Sequence, residues 1–163
     1  MAKNKEEKTN VMRVLEQKKI AYTPHSYSHE EGIAVDGVTV AQSMGFDPAI
    51  VFKTLVARGA SKQYYVFDVP VAENLDLKKA AKAVGEKSIE MIHQKELLPL
   101  TGYVHGGCSP VGMKKLFPTV FHSSAENLAA MIVSAGKIGY QVELAPHDLA
   151  ALVRAKFADI IVE

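Results

Sequence analysis

Ile50-Val51-Phe52-Lys53-Thr54-Leu55-Val56-Ala57 is followed, after the turn Gly59-Ala60-Ser61-Lys62, by Tyr64-Tyr65-Val66-Phe67-Asp68-Val69. Both runs are rich in β-branched and aromatic residues, and a glycine-bearing turn separates them. They predict an antiparallel hairpin. C-terminal to it, Asp76 caps a helix through Ala83, and residues 88–92 read as a short strand. A helical turn follows over 94–98. Strands are predicted over 118–122, 129–134 and 140–144, a helix from Pro146 to about Arg154, and a terminal strand or tail over 160–162. N-terminal to the hairpin, Thr9 or Asn10 caps a first helix through Val11, Val14 and Leu15. Pro24 blocks a helix over 21–29. Run as a strand, that segment points His25, Tyr27 and His29 to one face. Residues 32–37 read as a loop and 38–44 as a short helix stopped by Gly45. Strands and helices alternate irregularly, with several hairpin-like returns. The fold class expected is therefore mixed α/β, with a barrel-like mixed β-sheet flanked by helices, and not a doubly wound parallel sheet.

Lys53 is the sharpest single feature. A lysine within an apolar strand is poorly solvated and needs a partner or a lowered pKa. Two readings stand: it points into a pocket to hold a carbonyl, carboxylate or phosphate, or its stem lies along an edge strand and its head reaches water. The second feature is Val104-His105-Gly106-Gly107-Cys108-Ser109-Pro110-Val111-Gly112-Met113-Lys114-Lys115. Glycines let a backbone approach a ligand and aim N–H groups at an anion or a developing oxyanion. Pro110 suits the first turn of a short helix. An ordinary glycine turn is the plainer alternative.

The composition limits the field. The 163 residues fit one domain, and 48% hydrophobic content supports a real core. Residues 1–8 read as a flexible N-terminus and 9–163 as a single domain. A formal net charge of +1 does not announce nucleic acid, so any such contact must come from a local patch. Lys78, Lys79, Lys82 and Lys87 offer a modest one, or simply a solvated helix face. One cysteine excludes an intramolecular disulfide and a CxxC zinc pattern. No apolar run reaches membrane-spanning length, and residues 1–8 lack the apolar segment of a secretory signal. A cytoplasmic protein is expected.

Six histidines invite a metal. Pro24 spoils the helix that would pair His25 with His29, and the others are scattered, so no metal is expected. Cys108 could serve as a nucleophile with His105 near in sequence, yet a lone cysteine is more often a small buried residue. There is no GxSxG elbow and no complete phosphate-binding P-loop. Ser134-Ala135-Gly136-Lys137-Ile138-Gly139 offers a hydroxyl, mobile backbone and a cation, or a plain β-turn.

Together these stretches resemble a known family. Val51-Phe52-Lys53-Thr54-Leu55, Leu75-Asp76-Leu77-Lys78-Lys79-Ala80-Ala81-Lys82-Ala83-Val84-Gly85, Thr101-Gly102-Tyr103, Gly106-Gly107-Cys108-Ser109-Pro110-Val111-Gly112 and Val133-Ser134-Ala135-Gly136-Lys137 look like the YbaK/EbsC family of aminoacyl-tRNA deacylases, related to the editing insertion of prolyl-tRNA synthetase. The closing Ala155-Lys156-Phe157-Ala158-Asp159-Ile160 fits too. The resemblance runs from about Val11 to Ile160 and is nearest to the Cys-tRNA(Pro) deacylase branch. It implies hydrolytic release of a wrong amino acid, cysteine by analogy, from the 3′ end of tRNA(Pro), without metal or cofactor. It makes Lys53 the family's central lysine, and Gly106 and Pro110 the ends of its GxxxP loop. Thr54 and Ser134 match hydroxyl positions near the substrate, and Tyr27 a tyrosine lining the pocket. Gly107, Ser109 and Gly136 are carried as substrate-binding positions on the same two loops. Two positions depart from the pattern: Asp36 stands where a phenylalanine is expected, and Gln141 where an aspartate is. Both belong to the pocket and bear on amino-acid preference. The partners implied are the aminoacylated 3′ end of tRNA and a prolyl-tRNA synthetase. The alternatives are a deacylase for another amino acid such as alanine, and a non-catalytic binding or regulatory module of the same fold.

Overall fold

A computed structural model describes residues 8–30 and 32–163. The expected flexible segment 1–8 falls, up to residue 7, outside the described residues. The helices are α1 (Asn10–Gln17), α2 (Gly37–Met44), α3 (Leu77–Val84), α4 (Gln94–Thr101) and α5 (Pro146–Val153). The strands are β1 (Thr23–Ser26), β2 (Phe52–Gly59), β3 (Tyr64–Pro70), β4 (Ile89–Met91), β5 (Thr119–His122), β6 (Met131–Ser134), β7 (Tyr140–Leu144) and β8 (Ala155–Ala158).

The hairpin forms as its sequence dictates, with Lys53 opposite Val69 and Thr54 opposite Asp68. It is the centre of a five-stranded sheet in the order β4-β2-β3-β5-β8. β4 joins β2 antiparallel, while β5 and β8 add in parallel beyond β3. A second, antiparallel sheet has the order β1-β7-β6. The mixed sheet expected from the sequence is thus divided in two, and a Val51–Ile132 bridge stitches the pieces together where β2 meets β6.

Alternation along β2 and β3 separates two cores. Phe52, Val56 and Val66 face the larger one, where α1 contributes Val11 and Leu15 and the smaller sheet contributes Met131 and Val142. Ala57, Phe67 and Val69 face the other, covered by Ala80 and Ala81 of α3. α2 lays Ala41 over the seam, against Val51, Val71 and Ile132. The capping residues read from the sequence are in place. Thr9 accepts from the Met12 N–H, and Asp76 from those of Lys78 and Lys79. Gly45 ends α2 in the left-handed conformation.

Three local expectations are corrected. No helix follows Pro110. The Val111 N–H donates to Ser109 Oγ and its carbonyl accepts the Tyr103 hydroxyl, so the segment stays an irregular turn. The turn over 94–98 is a full helix, α4, closed by Gly102. The terminal strand lies earlier, as β8, and at 160–162 only a bridge from Ile161 to Leu75 remains.

Candidate active site

Where the two sheets meet, the structure opens a cavity of about 280 Å³. The start of β2 supplies Phe52, Lys53 and Thr54 to its wall, the end of β6 Ser134, and β7 Gln141. Asp36, Gly37 and Val40 close it from α2, Tyr27 from beyond β1, and His105, Gly106 and Cys108 from the glycine loop. Seven of the residues singled out in the sequence therefore converge here: Tyr27, Asp36, Lys53, Thr54, Gly106, Ser134 and Gln141. Four others stand behind the wall. Ser109 is fully buried and bonds Val111, and Gly107 and Pro110 are buried beside it. Gly136 gives its N–H to Ser134 Oγ at 3.1 Å.

Of the two readings of Lys53, the structure gives its place: it is half-buried and borders the cavity. Among the described residues it makes no ion pair within 4 Å. Burial pulls its pKa below the ordinary lysine value, and the more distant Glu73 pulls it back up. The cation is thus partly desolvated and, among the described residues, held by no ion pair.

The glycine loop is shaped by contact as well as by conformation. Gly106 has φ +90°, and a Cβ there would come within 2.7 Å of the Ala34 Cβ. A Cβ on Gly107 would meet the backbone of Lys137 and Ile138 at 3.0–3.2 Å, so glycine lets the two loops stack. The Gly107 N–H closes the turn on the Val104 carbonyl at 2.9 Å, whereas the Gly106 N–H has no acceptor among the described residues. That leaves it available to an oxyanion.

The polar groups of the cavity divide into donors and acceptors. Ser134 Oγ already accepts from Gly136, so its hydroxyl proton is the part it can offer. The Thr54 hydroxyl is committed in the opposite sense, donating to Asp68 Oδ1 at 2.5 Å. Gln141 is 6% exposed, and its Oε1 has no partner among the described residues. Asp36 caps α2, taking the Thr39 N–H at 3.1 Å and the Thr39 hydroxyl at 2.7 Å. Those bonds lower its pKa, and the carboxylate serves the helix at the cavity rim.

Cys108 lines the cavity but is 7% exposed, and burial pushes its thiol up to about 12. At neutral pH the thiol stays protonated. Two of the histidines are engaged elsewhere, His25 at 2.7 Å from Glu143 and His122 accepting from the Ile160 N–H, while His105 lines the cavity. Among the described residues no cluster of three or more His, Cys, Asp or Glu could hold a metal ion.

Asp68 was not singled out in the sequence. It is fully buried, pairs with Thr54 and, among the described residues, leaves Oδ2 without a partner. Its signal was the one that marked Lys53, a charged residue flanked by Phe67 and Val69 inside an apolar strand.

A curated relative from Enterococcus faecalis (strain ATCC 700802 / V583), named "Putative Cys-tRNA(Pro)/Cys-tRNA(Cys) deacylase EbsC", is 46% identical over 161 residues, 98% of each chain. Among solved structures, the "putative trans-editing enzyme for prolyl tRNA synthetase" superposes with a TM-score of 0.79 at 24% identity, covering 94% of this chain and 95% of that one. A scaffold protein used in grafting linear epitopes by computational design gives a TM-score of 0.82, also at 24% identity and with the same coverage. At that identity the structural likeness is one of fold. Residues 34–152 match the aminoacyl-tRNA editing domain, a span that holds the cavity's lysine, glycine loop and both hydroxyls, and the chain belongs to that family.

Proposed function

We propose that this cavity hydrolyses the ester of a misacylated tRNA, Cys-tRNA(Pro) foremost, and that the substrate's own thiol starts the reaction. The observation that carries the reading is the pairing, on one small cavity, of a half-buried lysine without an ion-pair partner among the described residues and a backbone N–H at Gly106 without an acceptor among them. Ester cleavage builds negative charge on the carbonyl oxygen, which such donors stabilise. A cavity of about 280 Å³ suits a small amino acid and its ester linkage.

The chemistry needs a nucleophile, and the cavity's own thiol is held protonated by burial. A bound cysteinyl group brings one. Its sulfur attacks its own carbonyl carbon and forms a C–S bond. The C–O bond to the ribose breaks, the thiol proton passes to the ribose oxygen, and the tRNA leaves. Water then opens the thiolactone to free cysteine. Lys53 and the Gly106 N–H hold the carbonyl oxygen throughout. Tyr27, Ser134 and Gln141 bound the amino-acid end. Editing of this kind answers a physical limit, since a synthetase pocket discriminates weakly between small side chains of similar size.

A chain of net charge +1 tracks few phosphates by itself. Selection of the tRNA is therefore shared with a prolyl-tRNA synthetase, in the cytoplasm where the mischarged ester arises. The relative's name agrees with the substrate proposed. The test is release of amino acid from purified Cys-tRNA(Pro), Ala-tRNA(Pro) and Pro-tRNA(Pro). Selective loss of the cysteinyl ester is expected. Preference for the alanyl ester would mean that Asp36 and Gln141 have re-tuned the pocket, and no loss of any ester would leave a binding module.

A further inference from the structure

Thr54 and Asp68 are register partners across the hairpin, on the face that carries Phe52, Val56 and Val66 into the larger core. Thr54 reaches the cavity; Asp68 lies behind it, wholly buried, against Phe121 of β5. The Thr54 proton goes to Asp68 Oδ1, so what Thr54 turns toward the cavity is oxygen lone pair. Gln141 Oε1, buried and without a partner among the described residues, is a second acceptor on the same cavity. Two neutral acceptors on one cavity, Thr54 next to Lys53 in β2 and Gln141 opposite Ser134 in the β6–β7 register, suit a group rich in N–H donors. Every aminoacyl ester carries one in its α-ammonium.

We propose that Asp68 is a positioning residue: its carboxylate takes the Thr54 proton and thereby fixes Thr54 Oγ as an acceptor for the α-ammonium of the bound aminoacyl ester. This rests on the deacylase reading. The carboxyl also carries its own switch. Among the described residues Oδ2 has no hydrogen-bond partner, so a protonated Asp68 is satisfied by donating to Thr54, which turns the Thr54 proton toward the cavity and opposes the ammonium. Burial has pushed this carboxyl up to about 7, opposed by the Thr54 bond, so both forms occur in the physiological range. Of the titratable groups on the elements around it, Lys53 on β2, Cys108 on the glycine loop and His122 on β5, Cys108 is the one whose ionisation the Asp68 charge opposes. That thiol stays neutral through the same range.

The test compares steady-state deacylation of Cys-tRNA(Pro) by wild type and Asp68→Asn from pH 5.5 to 8.5; the titration of the substrate cancels in their ratio. The amide cannot ionise, so KM for Asp68→Asn should exceed that of wild type by about tenfold at pH 8 and converge on it below pH 6, with kcat little changed. In a Thr54→Val background Asp68→Asn should add nothing, and Thr54→Ser should restore the pH dependence. With tRNA ending in 2′-deoxyadenosine the tenfold difference should persist; its loss would assign the donor to the ribose and overturn the ammonium assignment. A KM ratio that does not vary with pH, or that survives in Thr54→Val, overturns the proposal while wild-type activity leaves the deacylase reading standing. Wild-type failure on every ester removes both. Should Asp68→Asn not fold, Thr54→Val against wild type over the same pH range decides, with convergence at low pH expected and a constant ratio contrary.

Discussion

Cys108 and Asp68 show how burial assigns chemistry at the scale of a residue. The thiol sits on the cavity, yet it is held protonated at neutral pH, so Cys108→Ala should retain most of the deacylation rate in single-turnover measurement. Loss of activity in a well-folded Cys108→Ala protein would make this thiol the nucleophile. The same logic places the reacting sulfur on the substrate: Ser-tRNA(Pro) should be cleaved at least about a hundredfold more slowly than Cys-tRNA(Pro), and equal rates would exclude the thiol route. Asp68 makes a prediction about stability. Its folded pKa of about 7 lies above the ordinary aspartate value of 3.8, so the folded state binds the extra proton. Its contribution is fully present below about pH 4 and is lost as pH rises through 7. The interval corresponds to at most about 4 kcal/mol. Denaturant unfolding should therefore show wild type losing stability relative to Asp68→Asn between pH 4 and 7; a pH-independent difference would mean that the carboxyl is not titrating in the fold.

At the scale of the element, the glycine loop presents the site's backbone donor. Gly106→Ala places a methyl group within 2.7 Å of the Ala34 Cβ at φ +90°. The loop must move, and kcat should fall about a hundredfold, the usual cost of losing one oxyanion donor. The melting temperature should also drop by several degrees, since Cys108 and Val111 anchor this loop in the larger core. Unchanged kcat would remove Gly106 from the reaction. The β2–β3 hairpin, the capped helices α1 and α3, and strand β7 could be read directly from the sequence because each joins a clear periodicity to a turn or cap residue. Strand β8 could not: Ala155-Lys156-Phe157-Ala158 is four residues without alternation, and it becomes a strand only because β5 offers a parallel edge. The segment after Pro110 looked like a helix start, but Tyr103 and Ser109, eight and two residues before Val111, claim its backbone groups. In the site, Lys53 was visible as a charge inside an apolar strand. Asp68 carried the same signal and needed the cross-strand register to acquire meaning, since only pairing with Thr54 links it to the cavity.

For the whole molecule, the chemistry is gathered where two sheets join, and the remaining surface is nearly neutral overall. Among the described residues no helix is long and apolar enough to cross a membrane. With a formal net charge of +1, affinity for tRNA should be modest and should weaken with added salt, with a shallow slope that reflects few neutralised phosphates. Tight binding that ignores salt would contradict a local, cavity-centred recognition. The most direct measurement is single-turnover deacylation of Cys-tRNA(Pro) by wild type beside Lys53→Ala, with folding of both checked by thermal melting. Expected is rapid loss of the cysteinyl ester with wild type and a rate at least a hundredfold lower with Lys53→Ala at equal thermal stability. Equal rates in the two proteins would contradict the assignment of this cavity as the deacylation site.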